Sequence, residues 1–256
     1  MRTRYIDLDD RTQDIAERMR EEPAVAEDFL RKYELSWLYH ENALEGVIYA
    51  VHELEAALEN PPLAEASQIG PFQEVRNHKA AIELIRAEAK AKRPRINLTL
   101  VKRLYETLQA GLSGRNPAPE FRKDMPLHRA YFHEIAPPAK IPFLLGKLFD
   151  LYGTADFRQS HPLQQASRLQ HGFMQVYPFT DGSGKVARLL ANLLLLNQGY
   201  LPCIVHSIDR QRYYDSLRLP EPQLRELMME AMENALESAE KFFVAATATR
   251  TKRVAR

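Results

Sequence analysis

The chain has 256 residues, 45% of them hydrophobic and 27% charged, with a formal net charge of +1. That length suits one large domain, or one domain with helical extensions, and supplies enough apolar residues for a sizeable core. Near-neutrality argues against a dedicated nucleic-acid binder, which needs a basic excess; the short basic end with Arg250, Lys252, Arg253 and Arg256 reads as a solvated tail.

In chain order, "MRTRYIDLDDRTQD" lacks the apolar stretch of a signal peptide and opens an N-terminal helical region assigned to residues 1–60. Within it, "LSWLYHENALEGVIYAVHELEAALEN" puts Leu44, Val47, Ile48, Val51 and Leu54 on one face, the spacing of one amphipathic helix that runs to Asn60 before Pro61 and Pro62. "PFQEVRNHKAAIELIRAEAKA" and "LTLVKRLYETLQAGL" repeat the period, with Gly111 or Gly114 as C-terminal caps. Residues 113–140 break it with Gly and Pro, and "MPLHRAYFHEI" predicts a short hairpin. Helical signals return at 141–152, 162–176, 185–198 and 221–243. The expected fold is all-α, with a central domain over 61–217 and a C-terminal helix and tail over 218–256.

Side chains narrow the chemistry further. Cys203, the single cysteine, excludes an internal disulfide and reads as a buried thiol in "LPCIV". No run of about 18 apolar residues is present to span a membrane, so the expectation is a cytoplasmic protein without nucleic-acid or membrane partners, open to homo-oligomer formation. The eight histidines show no H-E-x-x-H or similar zinc spacing. Trp37, Tyr39 and Phe173 read as core.

The segment most suggestive of chemistry is "VYPFTDGSGKVAR", residues 176–188. Pro178 stops a helix, Asp181, Gly182, Ser183 and Gly184 form a turn, and a strong helix follows. Free N–H groups and the positive end of the dipole make such a helix start an anion cradle. Lys185 and Arg188, three residues apart, reach that same end. It is not a Walker A loop: Phe179 stands where the first Gly belongs, Val186 replaces Ser/Thr, and the preceding segment is helical rather than a strand.

"YPFTDGSGKVAR" resembles the H-x-F-x-[D/E]-G-N-G-R-x-x-R signature of Fic (Fido-superfamily) proteins, matching at Pro178, Phe179, Asp181, Gly182, Gly184 and Arg188. "HPLQQASRLQHGF", "LLANLLLLNQGYLP" and "DRQRYYDSL" are similar to the segments around it, so the resemblance covers roughly residues 35–217. "HEIAPPAKIPFLLGKLFDL" resembles the hairpin-and-helix region that aligns target proteins. The resemblance implies a helical Fic fold with a small β-hairpin flap, and transfer of AMP from ATP to a protein hydroxyl. Carried over, Asp181 is the Mg²⁺ ligand; Gly182, Ser183 and Gly184 are the phosphate cradle; Lys185 and Arg188 face the phosphates. Tyr213 and Tyr214 fall near the base of the bound nucleotide or the target groove. "ENALEG" resembles the inhibitory motif [S/T]-x-x-x-E-[G/N], in which a glutamate, here Glu45, pairs with the second motif arginine, here Arg188; Glu41 stands where the motif has Ser or Thr.

The departures bear on activity. Tyr177 takes the place of the general-base histidine, and a phenol of pKa about 10 stays protonated near pH 7. Ser183 replaces the amide of the cradle, and Lys185 replaces a bidentate arginine. The upstream histidine of the family aligns with Gln170, with His171 one place off, and "RLPEPQLREL" does not resemble the segment that completes the nucleotide pocket. The expectation is a Fic-fold protein with ATP and Mg²⁺ binding weakened or lost: an impaired enzyme or pseudoenzyme acting on or with another protein. Its alternatives are an active enzyme with altered nucleotidyl or phosphoryl transfer, or a non-catalytic regulatory partner.

Overall fold

Residues 2–59, 69–112, 118–126 and 133–254 are described by the computed structural model. They form eleven α-helices in chain order: α1 (Arg2–Glu21), α2 (Pro23–Leu44), α3 (Val51–Glu59), α4 (Ile69–Ala89), α5 (Leu98–Gln109), α6 (Ile141–Gly153), α7 (Ala155–Gln159), α8 (Pro162–Val176), α9 (Ser183–Asn197), α10 (Arg210–Arg218) and α11 (Glu221–Val254). No strand occurs among the described residues, and the hairpin expected at 125–135 lies largely outside them. No helix among them is long and apolar enough to cross a membrane.

The organising element is α9. Every residue from Ser183 to Leu195 is buried: the apolar residues of "VARLLANLLLL" fall on all sides of the helix and must be covered on all sides, and the polar Arg188 and Asn192 among them are buried with hydrogen-bond partners. α8, α4 and α5 pack around it, and α11 closes the far side of α8 while bridging α10, α1 and α2. Trp37, Leu38 and Leu44 of α2, Ile82 and Ile85 of α4, and Phe173 of α8 fill the core with almost no exposure. Tyr39 is half-buried against it. Cys203 is buried too, and burial pushes its thiol up to about 12, which makes it inert.

Starts and stops follow local chemistry. Asn97 caps α5 by accepting from Leu100 N at 3.0 Å, Thr154 caps α7, and Pro162 opens α8 behind the N-cap His161. Polar side chains fasten α1 to the body. Arg4 Nε donates to Glu233 at 2.8 Å, Arg11 Nε to Glu240 at 2.7 Å, and His161 Nε2 lies 3.0 Å from Asp9.

One expectation fails in an informative way. The helix read as continuous to Asn60 stops at Leu44 and restarts at Val51. Gly46 adopts φ +92°, and Val47 N donates to Asn42 O while Gly46 N donates to Ala43 O, each at 3.0 Å. That is a Schellman cap, which needs a left-handed residue after the helix. Tyr214 Oη and Arg210 Nε both donate to Leu44 O, at 2.7 and 2.8 Å, so the last turn is held from outside. The apolar residues that carried the helical period through the break, Val47, Ile48 and Val51, are exposed.

Candidate functional site

Helix α8 ends at Val176, and Tyr177 follows in the left-handed region at φ 47°, the single non-glycine residue there among those described. Such a conformation is uncommon for a bulky side chain and needs support from its surroundings. Arg122 supplies it. Its backbone N donates to Pro178 O at 2.9 Å. Its guanidinium donates to Tyr177 O at 2.7 Å, to Val176 O at 3.3 Å, to Asp124 O at 3.2 Å and to Ala136 O. One buried cation thus satisfies the last carbonyls of α8, Val176 and Tyr177, and pins the segments around 122–126 and 136 to them.

The turn that follows is closed by Ser183. Phe179 N donates to its Oγ at 2.9 Å, and the hydroxyl donates back to Phe179 O at 2.9 Å. Ser183 is fully buried, so its side chain is committed to the loop's own backbone. Phe179 is buried and stacks on Tyr105 of α5 with ring centroids 3.9 Å apart. Asp181 is exposed and has no ion-pair partner among the described residues.

The cations of the loop are taken. Lys185 Nζ donates to Glu74 Oε1 at 2.5 Å and to Asn42 Oδ1 at 2.9 Å. Arg188 donates through Nε to Glu41 Oε2 at 2.6 Å and through Nη2 to Glu45 Oε1 at 2.6 Å, with Tyr213 Oη 3.4 Å from Nη1. Burial opposes the charge of Arg188, yet the carboxylates of Glu41 and Glu45 outweigh it and hold its pKa well above the usual arginine value. Glu45 sits against the start of α9: a Cβ added to Gly184 would lie 2.5 Å from Glu45 Oε1. Any side chain at 184 would displace that carboxylate. The corner made by the Gly184 backbone, the positive end of α9 and Arg188 is therefore filled by a carboxylate of the same chain. A phosphate and Glu45 cannot both occupy it.

Tyr177 is half-buried. Burial first, then the negative charges of Glu45 and Asp181, push its hydroxyl up to about 12, further from neutrality than a free phenol. His133 packs edge-on to its ring at 6.3 Å and has Nε2 2.9 Å from Met174 O. Tyr213 and Tyr214 are both buried. Tyr213 Oη accepts from Gln170 Nε2 at 3.2 Å, its ring lies 5.6 Å from the Arg188 guanidinium, and Tyr214 caps α2 as described. Among the described residues no group of three or more His, Cys, Asp or Glu side chains could hold a metal ion, so a cation at Asp181 would draw its other ligands from elsewhere, as Mg²⁺ does from substrate phosphates.

Of the residues singled out from sequence, Asp181, Gly182, Ser183, Gly184, Lys185 and Arg188 share one helix start, and Glu45 meets them there. Sequence reasoning missed Glu41 as a partner of Arg188, Glu74 and Asn42 as partners of Lys185, Arg122 behind Tyr177, and His78. The His78 ring is fully buried, without a hydrogen-bond partner among the described residues; burial, then the charges of Lys185 and Arg188, hold its pKa well below the usual value and keep it neutral. Only Glu41 carried a readable signal. It stands one turn before Glu45, and two like charges at that spacing repel unless a cation lies between them.

A family model described as "Fic/DOC family" matches residues 95–195, which run from the start of α5 through α9 and include the loop. The chain carries a Fic/DOC domain. Two curated relatives of the Fic domain bear the name "Protein adenylyltransferase Fic": that of Culex quinquefasciatus is 27% identical over 186 residues, and that of Aedes aegypti 26% over 186 residues, each covering 71% of this chain. This chain spans 36% of the length of each of them. The solved structure titled Fic-1 from C. elegans superposes with a TM-score of 0.78 at 20% identity, covering 97% of this chain and 73% of that one. A Fic domain containing signaling protein from Bacteroides thetaiotaomicron superposes with a TM-score of 0.73 at 20% identity, covering 90% of this chain and 98% of that one. At such identities the superpositions speak for the helical Fic fold.

Proposed function

We propose that this chain is a Fic-fold protein in which AMP transfer from ATP to a protein hydroxyl is impaired or lost, leaving a pseudoenzyme that acts through a protein partner. The observation that carries the reading is Tyr177. At the position of the general base stands a hydroxyl held near 12 by burial and by its acidic neighbours, where a working base needs a pKa near the operating pH.

The paired cations support the same reading. A triphosphate gains most from unpaired guanidinium and ammonium groups, and Lys185 and Arg188 both spend theirs on Glu74, Glu41 and Glu45. ATP with Mg²⁺ is the ligand that the resemblance and the names of the relatives suggest. With Glu45 in place the loop does not fit it, so Asp181 as metal ligand and Gly182 and Gly184 as cradle are roles for a state in which Glu45 has moved. The test is incorporation of label from ATP carrying a labelled α-phosphate, in wild-type protein with Mg²⁺, into itself and candidate partners.

A further inference from the structure

Glu41 is the point at which this chain leaves the motif that "ENALEG" resembles, and it is also the most deeply buried acid at the site. Its side chain is 2% exposed, against 21% for Glu45 and 3% for the Arg188 they share. The two acids hold different edges of the guanidinium: Glu41 takes Nε, and Glu45 takes Nη2 next to Gly184. A ligand arriving over the loop competes with Glu45, the partner at the helix start. It does not compete with Glu41, which is sealed from solvent.

We infer that Glu41 is a second, permanent partner of Arg188: a positioning residue that fixes the guanidinium by its Nε edge and neutralises it whether or not Glu45 is in place. Withdrawing Glu45 then exposes a neutral ion pair rather than a free cation, and an incoming phosphate meets a dipole. Lys185 offers no substitute, because Glu74 and Asn42 hold it from other turns of the fold. Opening this site to a phosphate therefore takes two acidic changes, at Glu41 and Glu45. The inference rests on the reading of the loop as a degenerate Fic nucleotide site, but its first test needs no nucleotide.

That test follows the Arg188 Nε–H resonance in protein labelled at arginine, in wild type, Glu45→Gly, Glu41→Gln and the double variant. Glu41→Gln keeps the shape and an acceptor oxygen while removing the charge; because a buried guanidinium short of its carboxylate costs stability, circular dichroism and thermal unfolding establish that each variant is folded before its exchange is read. The proton is expected to exchange slowly in wild type and Glu45→Gly, and about tenfold faster once the charge at 41 is gone. Calorimetric titration with Mg-ATP forms the second arm. Glu45→Gly alone should gain little, and the double variant should bind about tenfold tighter than either single variant. Exchange unchanged by Glu41→Gln, or Glu45→Gly binding as tightly as the double variant, overturns the inference. If exchange behaves as expected and no variant binds Mg-ATP, Glu41 keeps its role and the nucleotide reading of the loop falls.

Discussion

Replacing Tyr177 by histidine separates a missing base from a blocked site. A phenol with a pKa near 12 is deprotonated in about one molecule in 10⁵ at pH 7, whereas an imidazole near 6.5 is mostly neutral and ready to accept a proton. The gain is capped by what a general base contributes to transfer, typically about 10²–10⁴ in rate. The backbone tolerates the change: Tyr177 lies at φ 47°, and histidine enters that left-handed region more readily than most side chains. The assay is incorporation of labelled AMP at pH 7 with Mg²⁺, in wild-type protein and in Glu41→Gln/Glu45→Gly, each with and without Tyr177→His. Ser183→Asn and Lys185→Arg are added as a further step. In the wild-type background the rise should stay within a few-fold, because Arg188 keeps both carboxylates. In the released background it should reach about 10²–10⁴. Equal rises in both backgrounds would show that the carboxylates do not limit the site. No rise in a released variant that binds Mg-ATP would remove Tyr177 from the base position.

Two further outcomes follow from the same contacts. Arg122→Met should cost about 4 kcal/mol, because buried carbonyls at Tyr177, Val176 and Ala136 lose a charged donor, and at this chain length that lowers Tm by about 10 °C; Arg122→Lys should recover less than half, and a loss under about 1 kcal/mol in urea unfolding would show that Arg122 does not hold this corner. Burial, and then the charge of the stacked His206, depress His40 to about 4, and Ser207 N donates to its unprotonated Nδ1 at 3.1 Å. A depressed histidine contributes stability that is complete above pH 6.5 and lost as pH falls toward 4. After discounting for partial exposure, wild type should lose about 2 kcal/mol more than His40→Gln between those limits; parallel curves for the two proteins would refute the shift.

How far the sequence reaches can be judged at particular residues. The helices around the site were legible because their apolar period is strong, and α9 because a helix with apolar residues on every side has one place to go. The break at Gly46 was not: Val47, Ile48 and Val51 continue the period although they face solvent, and the cap that ends α2 depends on Tyr214 and Arg210, more than 160 positions away. The loop's composition and helix start were readable, but the partners of its cations were not. Glu74 meets Lys185 across 111 positions and Arg122 meets Tyr177 across 55, distances over which no local pattern speaks. Glu41 was visible as a departure from a motif, and its meaning came only with the guanidinium beside it. Residues 127–132, in the expected flap, lie outside the described residues.

The most direct test of the account is transfer of labelled AMP by the wild-type chain itself, with Mg²⁺ at pH 7 and candidate protein partners present. A protonated Tyr177 and two paired cations predict incorporation at least about 10²-fold slower than the roughly 1 s⁻¹ of ordinary enzymes, down to none above a boiled control. Turnover at about 1 s⁻¹ or faster, within the ordinary range for enzymes, would contradict it.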